Sequence, residues 1–516
     1  MYRTYYTSRY QTNLYQPTQY LSIQYPSNHY LLSQYLSNQN LSNVYVSNEL
    51  SYDIHAPQKA IHRIEAQSDA ERKQFIIDTF MKLLGDGIRE NPKAFRGRFR
   101  KMAESAFKFY CGSAVLFYQD LKVDQDQFIA RNTAAGQIFI HGDLHAENFG
   151  TYMDNHGILN FDVNDFDEDY VGTFTWDVKR LLASLNLVCH RKCFSDEEIK
   201  RILIICVEEY LKQIYEFCKH TKNEFALTLR NTSGKIKELL NKARIKTNTE
   251  CLQSWTTVQD FERKVTRSKN AQDVDELLRA DLMHAFKKYY DTIPDIKKGL
   301  DKRSYGKGKY KIKDVVSSLA QGIGSAGKIT YTFLLEGHSE ALESDVILYM
   351  KPAQKSAISY VVRNPSVDGY FKDDGLRIVL CSYAMQASTP EWLGYTKLDG
   401  VPFIVDTNKA HSEDLDWSDI DNFQDVIEVA PYLGRAMAKI HCVADSDCLN
   451  TPKGVEGLPF SIIPRNTEHT IRDAIYGHDH DFVRDMVEFG MAYGEQVRRD
   501  HVLFFEAFRD NRIPGL

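Results

Sequence analysis

Long apolar runs are missing from this 516-residue chain, and so are paired cysteines, HExxH motifs and any surplus of positive charge. No stretch reaches the roughly 18 apolar residues that a membrane-spanning helix needs. The richest short run, Arg201-Ile-Leu-Ile-Ile-Cys-Val207, reads as one face of a buried helix. Nine cysteines occur without a CxxC pair, Cys442 and Cys448 being the nearest to a cluster, which fits reduced thiols better than a disulfide framework. The first residues lack the charged-then-apolar pattern of a secretory signal. A formal net charge of -6 excludes a global attraction to nucleic acid or anionic membrane. The expectation is a cytoplasmic protein of two or three domains, with no membrane span and no nucleic-acid partner. Its oligomeric state is left open.

Residues 1–52 are a different material. Tyrosine recurs at Tyr5, Tyr10, Tyr15, Tyr20, Tyr25, Tyr30 and Tyr35, and again at Tyr45, among Ser, Gln, Asn and Leu. A period of five matches neither the helix nor the strand repeat, so no apolar face forms and a disordered low-complexity tail is expected. Helical patterning follows over 69–84 and 95–121, with Phe107, Tyr110, Ala114 and Phe117 as a core-facing stripe. A buried strand is expected at 136–140 and a hairpin over 149–163, turning at Asp154-Asn-His-Gly157. Helices are then expected up to about Tyr290. Between Lys297 and Lys313 eight Lys or Arg face one Asp, read as a solvated strand edge. Strands at 329–335 and 346–351, a helix at 376–386 and a hairpin turning at Asp399-Gly400 come next, and helices resume after Asp421. This divides the chain into a tail (1–52), a helical region (53–295), a small β region (296–410) and closing helices (411–516).

The chemistry concentrates in His141-Gly-Asp-Leu-His-Ala-Glu-Asn148 and Asp162-Val-Asn-Asp-Phe-Asp-Glu-Asp169. So many hard oxygen ligands between apolar segments are costly to bury without a cation or polar partner. Asp143 and Asn148 lie on a presumed loop and Asp165 on the next hairpin. That ordered set suits a phosphotransferase, with Asp143 as base on a hydroxyl and Asn148 and Asp165 as Mg²⁺ ligands. Asp162 and Asp167 are second choices as metal ligands or supports. The bland alternative is a capped loop whose side chains satisfy backbone donors. His141 and His145 are read as structural, since the flanking strand argues against a zinc helix. A calcium loop starting at Asp165 fails, because Tyr170 and Trp176 stand where Gly and Glu are required. Gly322-Ile-Gly-Ser-Ala-Gly-Lys328 nearly matches a Walker loop, but Ile329 replaces the Ser/Thr and a strand follows. A glycine loop between strands, with Gly322, Gly324, Ser325 and Gly327 over phosphates and Lys351 behind it, fits better.

His141-Gly-Asp-Leu-His-Ala-Glu-Asn148 resembles the HGDxxxxN loop of aminoglycoside and choline kinases. Their metal-binding Asp is followed twelve residues later by a structural Asp, an interval that Asp165 and Asp177 keep. More closely, several stretches resemble the bacterial family called domain of unknown function 2252. They include residues 100–107, 142–150, 161–168, 174–184, 322–327 and 434–441, over a span of about 60 to 516. The resemblance implies an α+β, protein-kinase-like fold of two lobes, binding ATP and Mg²⁺. The order of parts is unusual: the catalytic loop and metal Asp come first and the glycine loop and Lys351 later, so a circular permutation is expected. The acceptor is expected to be a small alcohol or amino alcohol. Two departures stand out. No Glu occurs between Ser344 and Pro390 to pair with Lys351, leaving Asp373, Asp374 or Gln386 as substitutes, and Cys111 and Pro352 replace the family's Arg and Glu. These leave room for a catalytically impaired nucleotide-binding regulator, and a nucleotidyl transferase is the third reading.

Overall fold

The computed structural model of the chain describes residues 64–121, 126–154, 156–219, 225–293, 311–320, 327–362, 364–371, 373–386, 390, 392–408, 410–443 and 462–516. The tyrosine-rich 1–52, the glycine-loop residues Gly322, Gly324 and Ser325, and most of the basic stretch lie outside the described residues.

Four helices open the described chain: α1 (Asp69–Glu90), α2 (Pro92–Met102), α3 (Ala106–Gly112) and α4 (Ala114–Leu121). A Ser68/Glu71 capping box starts α1. The continuous helix expected over 95–121 is three pieces, because Ser105 caps a new start by accepting from Lys108 N and Gly112-Ser113 breaks the next turn. Phe107, Tyr110, Ala114 and Phe117 are all buried, although two helices share them. The short α5 (Gln127–Arg131) leads into β1 (Ile138–Ile140). Then β2 (Phe149–Met153) and β3 (Leu159–Val163) form the expected hairpin, with the Asp154 carboxylate accepting from His156 N and Ile158 N. β4 (Tyr170–Gly172) returns to pair antiparallel with β1, so the chain doubles back on the acidic stretch before entering α6 (Phe174–Arg191) and α7 (Asp196–Phe217). β5 (Leu227–Thr228) adds to β3, and α8 (Gly234–Ile245) and α9 (Asn248–Trp255) follow.

The helical pattern does not run unbroken to Tyr290. β6 (Thr256–Gln259), β7 (Glu262–Val265) and β8 (Ala271–Asp273) intervene before α10 (Glu276–Thr292). Asp260 and Phe261 both take positive φ, 51° and 63°, which makes the tight turn of the β6–β7 hairpin. Both strands are short and mostly solvated, so their apolar content signals little.

The small β region is a six-stranded antiparallel sheet in the order β12-β13-β11-β10-β9-β8. Its strands are β9 (Ile312–Leu319), β10 (Ile329–Leu335), β11 (Val346–Pro352), β12 (Gly394–Leu398) and β13 (Val401–Thr407), joined by β8 from upstream. One face packs Phe333, Leu348, Met350 and Val405 against Leu282, Phe286 and Tyr289 of α10. The other places Val316, Leu334 and Ile347 on Leu252 and Val265. Residues 252–289 therefore serve this sheet, although they precede the expected boundary at 296. β9 is no edge strand: β8 covers it, while Lys311 pairs with Glu336 at 3.0 Å and Lys313 with Asp345 at 3.1 Å. The turn at Asp399-Gly400 is as expected, with φ of 50° and 80°.

Between β11 and β12 lie α11 (Pro365–Tyr370) and α12 (Asp374–Met385), the latter buried along its length. The closing helices are α13 (Phe423–Cys442), α14 (Thr467–Ile475) and α15 (Asp479–Arg509). Arg72 of α1, 2 % exposed, binds Asp120 at 2.8 Å and Asp500 of α15 at 2.6 Å, so opposite ends of the chain share one buried ion cluster. Among the described residues no helix is long and apolar enough to cross a membrane.

Gly434 lets α13 lie close against α7, since a Cβ there would lie 2.2 Å from Cys206 O. Gly434→Ala is expected to destabilise the protein by about 1–3 kcal/mol, because two packed helices must separate. Denaturant unfolding checks this; an unchanged midpoint would show that the helices have slack there.

Candidate active site

The loop after β1 is held from beneath by one carboxylate. Asp177, in the first turn of α6, accepts from His141 N at 2.7 Å and Gly142 N at 2.9 Å. His441 Nε2 of α13 lies 3.2 Å from the same carboxylate, and Tyr210 OH of α7 lies 3.0 Å from His441 Nδ1. Asp177 and His441 have no exposed surface, so these contacts replace water entirely. Gly142 takes φ 78°, and a Cβ there would meet Glu168 O at 2.4 Å, so only glycine lets the loop lie against the acidic stretch. The His141 ring bridges the same two segments: Nδ1 accepts from Asp143 N at 3.3 Å, which leaves Nε2 to donate to Asn164 O at 2.9 Å.

Asp143 Oδ1 accepts from Arg180 Nε at 2.7 Å and from a second guanidinium nitrogen. Arg180 is fully buried, its guanidinium 4.3 Å from the Tyr110 ring centroid and 5.1 Å from that of Phe117. Its role was not foreseen, although a signal existed: it stands three residues after Asp177, on the same face of the helix. On the other side, Asp143 Oδ2 is 3.9 Å from His145 Nε2. Burial lowers His145 to about 4, so the ring is neutral at pH 7.

Asn148 Nδ2 donates to Asp143 O at 2.9 Å, which orients the amide. Asp165 follows β3 with φ 57° and ψ 71°, a left-handed conformation that costs a non-glycine residue on the order of 1 kcal/mol. Burial and then the Asp167 charge raise its carboxyl. Since 58 % of the side chain is exposed to the cleft, water softens the burial effect. Lys351 of β11 reaches both acids, 2.9 Å from Asp167 Oδ2 and 3.6 Å from Asp165 Oδ1. Burial opposes the ammonium charge, but the two carboxylates outweigh it and raise the Lys351 pKa. None of the expected substitutes reaches Lys351: Asp373 pairs with Lys397 at 3.0 Å, Asp374 with Arg377 at 3.1 Å, and Gln386 lines the cleft wall. Asp167 takes that place.

Asp162 is set apart. It is 3 % exposed, binds Lys439 Nζ of α13, and accepts from Val163 N at 2.8 Å, outside both cavities described next. Gly327 closes the β9–β10 hairpin by donating to Ala320 O at 3.1 Å, and with φ 80° it packs on α2, where Asn91 Nδ2 donates to its carbonyl at 3.2 Å.

Two cavities share a wall made of Glu147, Asn148, Asp165, Asp167, Lys351 and Asp414. One, of about 490 Å³, runs between the sheet and the β2–β3 hairpin, past Tyr349, Ile404 and Gln386 to Asp406-Thr407-Asn408. The other, of about 970 Å³, contains Asp143, His145 and Cys111 and is bounded by α8 and the 413–421 segment. Among the described residues no group of three or more His, Cys, Asp or Glu side chains is arranged to hold a metal ion. A cation at Asn148 and Asp165 would therefore need ligand oxygens and water to complete its shell, which is how Mg²⁺ binds beside phosphates.

The native His145 pKa of about 4 lies below the ordinary 6.5. As pH falls from 6.5 towards 4, the unfolded chain takes up a proton that the folded chain refuses, so stability drops through that window. His145→Gln is expected to flatten this part of the stability–pH profile, read from denaturant midpoints. An equally steep profile in the variant would assign the acid sensitivity elsewhere.

The family model described as an uncharacterized protein conserved in bacteria (DUF2252) matches residues 89–507. No curated protein and no solved structure matches the chain. The matched span takes in the loop, the acidic hairpin, the six-stranded sheet and most of the closing helices, and the chain belongs to the DUF2252 family.

Proposed function

We propose that the protein is an ATP- and Mg²⁺-dependent phosphotransferase with a permuted, two-lobed, kinase-like architecture, acting on a hydroxyl group of a small molecule. The observation that carries this reading is the meeting of Lys351 with Asp165 and Asp167. Lys351 comes from the six-stranded sheet and the acids from the segment between β3 and β4, the Lys351–Asp167 pair lies 184 residues apart in sequence, and they close on each other at the wall between two cavities. The loop carrying Asp143 and Asn148 joins it, with Asn148 on that wall and Asp143 in the larger cavity, the set that phosphoryl transfer uses. Relocating the termini of such a fold accounts for the late position of the glycine loop, since contacts and not chain order define the packing.

ATP would occupy the smaller cavity, its base between Tyr152 and Val163 below and Tyr349 and Ile404 above, with its phosphates towards Lys351. Asn148 and Asp165 supply hard oxygens of the kind Mg²⁺ takes, and the ion when bound would offset phosphate charge. The acceptor hydroxyl would approach from the larger cavity and give its proton to Asp143, whose other oxygen Arg180 holds in place. The acceptor oxygen bonds to the γ-phosphorus as the bond to the bridging oxygen breaks, releasing ADP. A second reading, a nucleotide-binding regulator with impaired catalysis, is favoured by one observation: Lys351 pairs with Asp167 and not with a glutamate on α12.

Incubating the full chain and a small-molecule extract with ATP labelled at the α- or the γ-phosphate separates the readings. Transfer of γ label is expected, falling about 10²–10⁴-fold in Asp143→Asn while nucleotide binding persists. Transfer of α label would mean a nucleotidyl transferase. ATP binding without transfer would mean the regulator.

A further inference from the structure

Around the acidic stretch most carboxylates already have a cation of their own. Asp143 has Arg180, Asp165 and Asp167 share Lys351, and Asp169 and Asp374 share Arg377. Glu168 is the one acid of 165–169 with no ion pair among the described residues. Its carboxylate accepts from Ala357 N at 2.6 Å, and burial pushes it up to about 7, so near neutral pH it carries only part of a charge. Two cations are left over. Arg98 of α2 and Lys328, which follows Gly327 at the start of β10, are partly buried and have no ion-pair partner among the described residues.

Packing holds this pair together. Ala94 and Arg98 lie one turn apart on the same face of α2. Ala94 leaves no room for a Cβ on Gly327, and Asn91 Nδ2 donates to Gly327 O at 3.2 Å, so the hairpin end that carries Lys328 is seated on α2. Arg98 Nη2 donates to Gly112 O at 2.9 Å and its Cζ lies 5.8 Å from the Phe95 ring centroid. Arg98 Nε has neither exposed surface nor a hydrogen-bond partner, and one carbonyl is all that answers a guanidinium rich in donors.

The electrostatics agree with that geometry. Burial disfavours the Arg98 charge, and Glu168 and then Asp143 act to retain it. Burial also lowers the Lys328 ammonium, Asp167 pulls it back, and the Arg98 charge lowers it again. Two like charges that act on each other in a partly dry place, with no carboxylate closing on either, are a setting for an anion. A guanidinium offers a fork to two oxygens and an ammonium a point charge to a third, which is how proteins grip phosphate.

We infer that Arg98 and Lys328 form a subsite for a phosphoryl dianion where α2 meets the start of β10, separate from Lys351. The dianion belongs to the end of a nucleotide or to a second, phosphate-bearing ligand. Only the nucleotide source rests on the phosphotransfer reading; the preference for an anion follows from the two cations.

Calorimetry on the full chain with Mg²⁺ tests it with three probes: ADP, the ATP analogue whose β- and γ-phosphorus are bridged by nitrogen, and inorganic phosphate. Each is measured in the parent and in Arg98→Gln/Lys328→Gln. If a nucleotide fills the subsite, the analogue binds the parent about tenfold more tightly than ADP, and the variant loses that preference while ADP affinity holds. If a second ligand fills it, inorganic phosphate binds the parent with ADP in place, and the variant weakens that binding about tenfold. A parent with neither the preference nor phosphate binding overturns the inference, and so does a folded variant that keeps whichever of the two the parent shows. Should the double variant not fold, Lys328→Gln is read the same way, with Lys328→Arg expected to restore what it loses. Phosphate binding that depends on the two cations, in a chain that binds no nucleotide, would discard the ATP reading and keep the anion subsite.

Discussion

Asp177 is the point on which the site depends. A carboxylate without water is tolerable only when donors surround it, and here two loop amides and a histidine do so. The donors come from two distant parts of the molecule: the loop after β1, and α13, which Tyr210 of α7 supports in turn. One turn along the same helix, Arg180 fixes Asp143. The start of α6 thus sets both the backbone of the loop and the orientation of its principal acid. Its rigidity comes from burial on all sides, since α6 packs under α15 and carries almost no exposed side chain before His190.

The opposite wall is built on a different principle. Lys351 stands on the six-stranded sheet and meets the acidic stretch through an ion pair that is hydrogen-bonded to Asp167 at 2.9 Å. The ion pair itself is partly solvated and weak, but the acidic stretch behind it is fixed by the buried Arg377 of α12, which binds Asp169 at 2.7 Å and the Asp167 carbonyl at 3.0 Å. Lys351 pairs with Asp167, a place that a helix glutamate holds in kinases. A phosphate entering the smaller cavity would compete with Asp167 for the ammonium, and Asp165, already strained at φ 57°, would be drawn towards a metal ion.

The strands and turns around the site were legible because their signals are local. Asp154 to Gly157 and Asp399-Gly400 are turn chemistry, and the apolar run 136–140 between polar flanks marks a buried strand. The helix 374–385 was visible from its apolar density. What escaped was decided by tertiary partners. The β6–β7 hairpin and β8 hide in polar sequence because Val265 of the hairpin packs beneath the sheet and β8 is held by pairing with β9, and Ser105 splits a helix that periodicity alone would continue. At the site, acid identity was readable but acid function was not. Asp162 and Asp165 stand three residues apart in one acidic run and only their order ranks them in sequence, whereas in the fold Lys439 claims one while the other faces the cleft. Lys439 gave no sign of this, since a lysine on an amphipathic helix ordinarily faces water.

Binding of Mn²⁺ in place of Mg²⁺, followed by electron paramagnetic resonance with and without ATP, tests the central claim most directly. With only Asn148 and Asp165 to offer, the protein should hold Mn²⁺ tightly only when ATP is present. Asp165→Asn should abolish that binding and Asp162→Asn, in folded protein, should leave it intact. Tight Mn²⁺ binding without nucleotide, or binding lost through Asp162 and kept without Asp165, would contradict the assignment of this site.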